Sequence, residues 1–273
     1  MKKTKLLSLV LVGALALGLV GCGGKDEKAT ETDKTIKIGV SAVPHEEIVN
    51  EIKPLVEAEG YNLEVITYDD YVIPNTALAD EQLDANYFQH INYLNETNES
   101  KGLDLVNAAE IHIEPMAAYS KTLKDVKDLN DGDIIAIPDD PTNEARALRL
   151  LESKGLIKVK EGELITPKDI TENPKNLEFK ELEAAQLPRA LDEVAIAVIN
   201  GNYALQAGLD ANNNGVIIED INTEDKKLMR NILAVKKGNE ESEKTKVLKK
   251  ALTSEECRKF IEEKYKGAVI PVF

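Results

Sequence analysis

Apolar and polar residues alternate from Thr35 to Val40 (Thr-Ile-Lys-Ile-Gly-Val), a period of two that predicts a strand. From Glu47 to Ala58 the apolar positions fall at helical intervals instead, and Gly60 follows as a stop signal. Alternation returns from Leu63 to Tyr68, so the chain opens strand, helix, strand. The order recurs at Ile134-Ile135-Ala136-Ile137 before a helix from about Asn143 to Lys154, and at Val194 to Ile199 before Tyr203-Ala204-Leu205. Strands alternating with helices predict an α/β fold whose largely parallel sheets are covered on both faces. Ile111 to Tyr119 and Ile232 to Val235 read as extended segments and are expected to be two hinge-crossing strands between lobes. Lobe 1 is then residues 36–114 plus 230–273, with residues 115–229 inserted as lobe 2.

The first 35 residues break this pattern. Lys2, Lys3 and Lys5 precede an apolar run from Leu6 to Val20, which ends in Leu19-Val20-Gly21-Cys22. Such an order is that of a secretory signal, and the run is shorter than the roughly 20 residues a membrane span needs. The Leu-Val-Gly-Cys box resembles the lipobox of bacterial lipoproteins. That resemblance implies a signal peptide over residues 1–21 and a diacylglyceryl group on the Cys22 thiol. Acyl chains hold to a bilayer at about 0.8 kcal/mol per buried methylene, so the expected location is the extracytoplasmic face of the cell membrane, lipid-anchored. Residues 22–35 are expected to be the lipidated Cys and a flexible tether, since GGKDEKATETDKT has no apolar periodicity.

Charge narrows the range of partners. The formal net charge is -15, and the first 21 residues contribute three lysines and no acid, which leaves -18 for the remainder. A chain so acidic lacks the basic stripe that phosphate binding requires, which excludes nucleic acid, and its surface charge favours solubility. The chain has two cysteines; once Cys22 is acylated, Cys257 has no disulfide partner. Val247, Leu248, Ala251, Leu252, Phe260 and Ile261 around it follow a helical spacing, which predicts a buried filler rather than a nucleophile.

Two stretches carry candidate chemistry. Pro138 to Leu148 reads as a strand end, a proline-punctuated turn, a polar cap and a helix, with Arg146 in its first turn. A cation there opposes the helix dipole unless an anion faces it, and a ligand carboxylate fits the guanidinium fork. The competing account is an ion pair with Glu144 or Asp140. Asp84 to Leu94 gathers Tyr87, Phe88, His90 and Tyr93 among amides, a wall suited to a small amphipathic ligand; ordinary core packing at a strand-to-helix junction is the competing account.

Several blocks together resemble a known family. They are Gly39-Val40, Tyr68 to Asn75, Leu83 to His90, Pro138 to Leu148, Glu172 to Leu177 and Ala197 to Ala204. In order and spacing they are similar to the methionine-binding lipoproteins of the MetQ/NlpA type, the substrate-binding components of methionine ABC importers. The resemblance covers nearly all of the chain after the tether. It implies a two-lobed periplasmic-binding-protein fold (type II-like) that binds methionine and delivers it to an ABC permease driven by its ATPase. L-methionine is the expected ligand, with D-methionine or a Met-containing dipeptide as variants; no cofactor and no catalysis are expected, and the protein is expected to be a monomer. By the same resemblance Arg146 holds the ligand carboxylate, and Asn200 and Asn231 bond its amino and carboxylate groups. Tyr68, Phe88, His90 and Tyr93 then line the side-chain pocket. Lys227-Leu228-Met229-Arg230 departs from the aromatic approach to Asn231 that many relatives show.

Two other classes weigh less. His45, His90 and His112 invite a zinc-importer lipoprotein, yet they share no ligand spacing and no His-rich loop accompanies them. A secreted hydrolase would need a nucleophile motif, and neither G-x-S-x-G nor H-E-x-x-H occurs.

Overall fold

The computed structural model describes residues 34–273 apart from Thr223; the signal peptide, Cys22 and nearly all of the tether lie outside the described residues. In chain order the first part gives β1 (Thr35–Ser41), α1 (Glu47–Ala58), β2 (Asn62–Tyr68), α2 (Ile73–Ala79), β3 (Ala85–His90), α3 (Ile91–Lys101) and β4 (Leu105–Ile113). The chain then runs through Glu114-Pro115-Met116 into β5 (Ala117–Tyr119), β6 (Ile134–Pro138) and α4 (Pro141–Ser153). A small ribbon of β7 (Lys158–Val159) and β8 (Ile170–Glu172) precedes β9 (Glu178–Leu182) and α5 (Leu187–Ala190). Next come β10 (Ile196–Ile199), α6 (Gly201–Gln206), α7 (Ala211–Asn214) and β11 (Gly215–Ile218). Residues 219–229 lead back to β12 (Arg230–Lys236), α8 (Glu243–Leu252), α9 (Glu255–Tyr265) and β13 (Ile270–Pro271).

Two larger sheets result. One has the order β13-β4-β12-β3-β1-β2, the other β11-β5-β10-β6-β9. Strands β1, β2 and β3 are mutually parallel, as are β6, β9 and β10, while β12 and β5 run against their neighbours. Each sheet has its own core. Ile36, Ile38 and Val40 of β1 meet Ile48, Ile52 and Val56 of α1, with Leu252 of α8 and Ile261 of α9 in the same cluster. In the other, Ile135 and Ile137 of β6 cluster with Leu148 and Leu151 of α4 and Val198 of β10. The helical spacing of α1 and the alternation of β1 are therefore two halves of one apolar layer.

The first expected crossing lies where the sequence places it, since β4 belongs to one sheet and β5 to the other. Ile232 to Val235 does not cross. It is fully buried inside β12, antiparallel to both β3 and β4, and the chain returns just upstream through residues 219–229. A short apolar run fits a central strand as well as a connection, and pairing on both edges decides between them.

The helical stretch near the C-terminus is two helices. Ser254 ends the first run by capping α9, its hydroxyl accepting from the Cys257 N–H at 3.1 Å. Cys257 is a free, fully buried thiol, pushed up to about 12 by burial and by Glu51. Among the described residues no helix is long and apolar enough to cross a membrane.

Candidate ligand-binding site

The residues that matter gather at the carboxyl ends of parallel strands: Ser41 ends β1, His90 ends β3, Asp140 to Arg146 follow β6 and Asn200 follows β10. Ligands of open α/β sheets gather at such ends because the loops there converge. A cavity lies among them, with about 350 Å³ of empty space when the part open to solvent is counted. Phe88, His90, Tyr93, Arg146, Asn200 and Asn231 all line it, as do Tyr71, Glu114, Asn143 and Asn202.

Arg146 is buried, as is its partner Glu219. Its Nε donates to both Glu219 oxygens at 3.0 and 3.1 Å, and its Nη2 donates to Glu219 and to the Glu114 carbonyl at 2.9 Å. The ion-pair account from sequence was right in kind and wrong in partner. Glu144 and Asp140 are not the anion; Asp140 caps α4, accepting from the Asn143 N–H at 3.0 Å. The Nη1 group has no partner among the described residues, and it belongs to a side chain that lines the cavity.

Two amides are also incomplete. Asn200 donates through Nδ2 to Asn143 Oδ1 at 2.7 Å, and its own buried Oδ1 has no partner. Asn202 accepts from the Tyr71 hydroxyl, and its buried Nδ2 has no partner. An unmet buried acceptor and an unmet buried donor each cost about 1 to 3 kcal/mol, so such atoms mark where a polar ligand completes the set.

One wall is aromatic. Tyr71 stacks near Phe88, Tyr93 and Tyr203 with ring centroids 5.9, 5.7 and 5.0 Å away. His90 accepts from the Tyr93 N–H through Nδ1 at 3.0 Å, so its proton sits on Nε2, which donates to Asn143 Oδ1 at 3.2 Å. Burial and the nearby Arg146 charge lower this imidazole to about 4, and the ring is neutral at pH 7. Tyr68 is not brought to the cavity. It is half-buried against Leu83, over Gly39, where an added Cβ would lie 3.1 Å from the Tyr68 ring and 2.6 Å from Leu83. Tyr71, three residues later in a loop, lines the cavity instead.

Behind the cavity, His45, His112 and Glu114 sit together, all buried, with ligand-type atoms within 4.8 Å of one another. His45 Nε2 lies 3.0 Å from Asn231 Oδ1 and its Nδ1 lies 2.6 Å from Ser41 Oγ. His112 Nε2 lies 2.8 Å from Glu114 Oε1, and its Nδ1 pairs with the Tyr87 hydroxyl. Every ring nitrogen of the two histidines therefore has a protein partner. Burial lowers His45 to about 4, against the pull of Glu114, and lowers His112 to about 3. Glu114 is raised by burial, opposed by His45 and Arg146.

Cross-strand register explains this convergence, since Asn231 of β12 stands opposite His90 of β3 on one side and His112 of β4 on the other. Sequence alone missed Tyr71, Glu114, Asn143 and Asn202. Asn143 and Asn202 lie inside blocks already marked by their polar turns, and Glu114 is the one acid in the apolar run Ile111 to Met116.

The family model described as NlpA lipoprotein matches residues 36–273, all of the chain after the tether. This chain belongs to the NlpA lipoprotein family. Among NlpA-family relatives, the methionine-binding lipoprotein MetQ of Bacillus subtilis is 41% identical, with 100% of this chain and 99% of that one covered. A nutrient-binding protein from Burkholderia cenocepacia, solved bound to methionine, superposes with a TM-score of 0.84 at 41% identity, covering 87% of this chain and 100% of that one. An ABC transporter periplasmic substrate-binding protein from Coxiella burnetii gives 0.82 at 37% identity, with 87% and 100% covered. The two-lobed α/β architecture is that of a periplasmic-binding-protein-like fold, and family members are substrate-binding proteins rather than enzymes.

Proposed function

We propose that this chain is an extracytoplasmic, lipid-anchored binding protein that captures methionine between its lobes and passes it to an ABC permease with its ATPase. Residues 36–114 with 230–273 form lobe 1 in this reading, and residues 115–229 form lobe 2. The observation that carries it is the pair of buried polar atoms without a partner, Asn202 Nδ2 and Asn200 Oδ1, in one aromatic-walled cavity that Arg146 also lines. A zwitterionic amino acid supplies what each lacks. Its carboxylate accepts from Arg146 and Asn202, and its ammonium donates to Asn200 with Glu114 as the neighbouring anion. The thioether then lies against Tyr71, Phe88 and Tyr93, where sulfur beside a ring gains about 0.3 to 1.5 kcal/mol. Asn231, on the first lobe beside His45, adds an amide from the return strand. Because both lobes contribute, occupancy favours the closed arrangement, which the permease reads as a difference in affinity.

Isothermal titration of the protein, stripped of ligand by unfolding and refolding, tests this against L-methionine, D-methionine, a Met-containing dipeptide and leucine. Saturable one-to-one binding of L-methionine, tighter than that of leucine, is expected. Failure to bind any of the methionine compounds would overturn the reading, and a preference for D-methionine or the dipeptide would replace the ligand while keeping the site.

A further inference from the structure

Glu219 has a position that methionine contact does not explain. It lies just past β11, at the start of the return connection, and its carboxylate is buried. Three separate parts of the chain meet on it. Arg146 of α4 donates from Nε and Nη2, the Met116 backbone N–H of the first connection donates at 3.0 Å, and Lys226 of the return connection places Nζ 3.0 Å away. Burial opposes its charge, but Arg146 and Lys226 prevail and hold the carboxyl at about 2.

A guanidinium on a long side chain has several rotamers, and its five N–H donors can be offered in more than one direction. Here one edge is used up. Nε and Nη2 are committed to Glu219 and to the Glu114 carbonyl, which leaves Nη1 as the guanidinium nitrogen not engaged by either, on a side chain that lines the cavity. We propose that Glu219 is the positioning residue of the site: it locks Arg146 against both interlobe connections so that a ligand carboxylate meets a fixed Nη1 donor. The proposal rests on the amino-acid-binding reading above and adds a residue that never touches the ligand.

Two opposing effects follow from neutralising Glu219. Removing its charge leaves Arg146 and Lys226 more attractive to an anion, while replacing one of its two acceptor oxygens by an NH2 donor frees the guanidinium to turn away. In a buried site directed hydrogen bonds decide, because a donor that has swung aside recovers its partner in the protein rather than in the ligand. Affinity for a carboxylate ligand should therefore fall, and affinity for the same ligand without a carboxylate should not.

The test compares L-methionine with L-methioninol by titration and competition in wild type, Glu219→Gln and Glu219→Asp. Glu219→Gln is expected to weaken methionine by about 10- to 100-fold and to leave methioninol within about twofold of wild type. Glu219→Asp keeps the charge but shortens the reach, and is expected to fall between the two. An equal loss for both ligands would show a general effect on the fold, and unchanged or tighter methionine binding would show that charge outweighs orientation; either result overturns the proposal. Should Glu219→Gln not fold, Glu219→Asp carries the same comparison, and equal behaviour of its two ligands overturns it too. A wild-type protein that binds no methionine would fail the earlier reading instead, before any variant is compared.

Discussion

Arg146 joins two roles that a single substitution pulls apart. Removing the guanidinium takes away the donor proposed for the ligand carboxylate and leaves Glu219 buried with the Met116 N–H and Lys226. Arg146→Ala is expected to weaken methionine binding by about 2 to 5 kcal/mol, the usual scale for truncating one member of a buried charged pair. Isothermal titration measures this, and a thermal melt of the same variant should show a lowered midpoint from the stranded carboxylate. Gly201 offers a sharper probe of Glu114. A Cβ on Gly201 would lie 2.6 Å from Glu114 Oε2 and 2.7 Å from Glu114 Cβ, closer than real carbon atoms pack. Gly201→Ala must therefore displace the carboxylate beside the proposed ammonium position. The expected result is at least a tenfold loss of methionine affinity, about 1.4 kcal/mol, in titration.

Elements that repeat a period were legible in the sequence, and those that depend on partners were not. Strand β1 and helix α1 appear where alternation and helical spacing place them, and Gly60 after α1 has the positive φ of +82° that its stop signal implies. Ile232 to Val235 in strand β12 was misread as a crossing because four consecutive apolar residues look the same whether they sit in the middle of a sheet or between lobes. Arg146 and His90 stood out by chemical type. Glu114 did not, since its meaning comes from His45, 69 positions away, and from Gly201, which folds against it. His45, in the turn after β1, and His112 of β4 also set a pH response. His45 and His112 are held neutral, at about 4 and about 3, below their ordinary value of 6.5. Below pH 6.5 the unfolded chain then binds more protons than the folded one, so stability falls on acidification from 6.5 toward 4 and 3. The slope is up to about 1.4 kcal/mol per pH unit for each ring. Urea melts at pH 7 and pH 5 check this, and His45→Gln, which keeps a neutral hydrogen-bonding side chain, should flatten the difference.

At the level of the whole molecule, the proposed anchor lies outside the matched region: the family match begins at residue 36, and among the described residues those that line the cavity all follow it. Cys22→Ser is accordingly expected to yield a protein that partitions into the aqueous phase and binds methionine like the lipidated form. Fractionation of cells followed by titration of the soluble pool measures both; retention in the membrane pellet would contradict the lipobox reading. The formal net charge of -15 lies far from zero, which keeps a protein apart from its neighbours in solution.

The silent thiol at the start of α9 has a practical corollary. With Cys257 sealed in the core and protonated at any working pH, the Cys22→Ser chain offers alkylating dyes no native target. A cysteine placed at Val72, 56% exposed and adjacent in sequence to the cavity-lining Tyr71, becomes the sole attachment point for a fluorophore near the site. Emission from that dye can then follow ligand capture in real time, without a second mutation to clear the background.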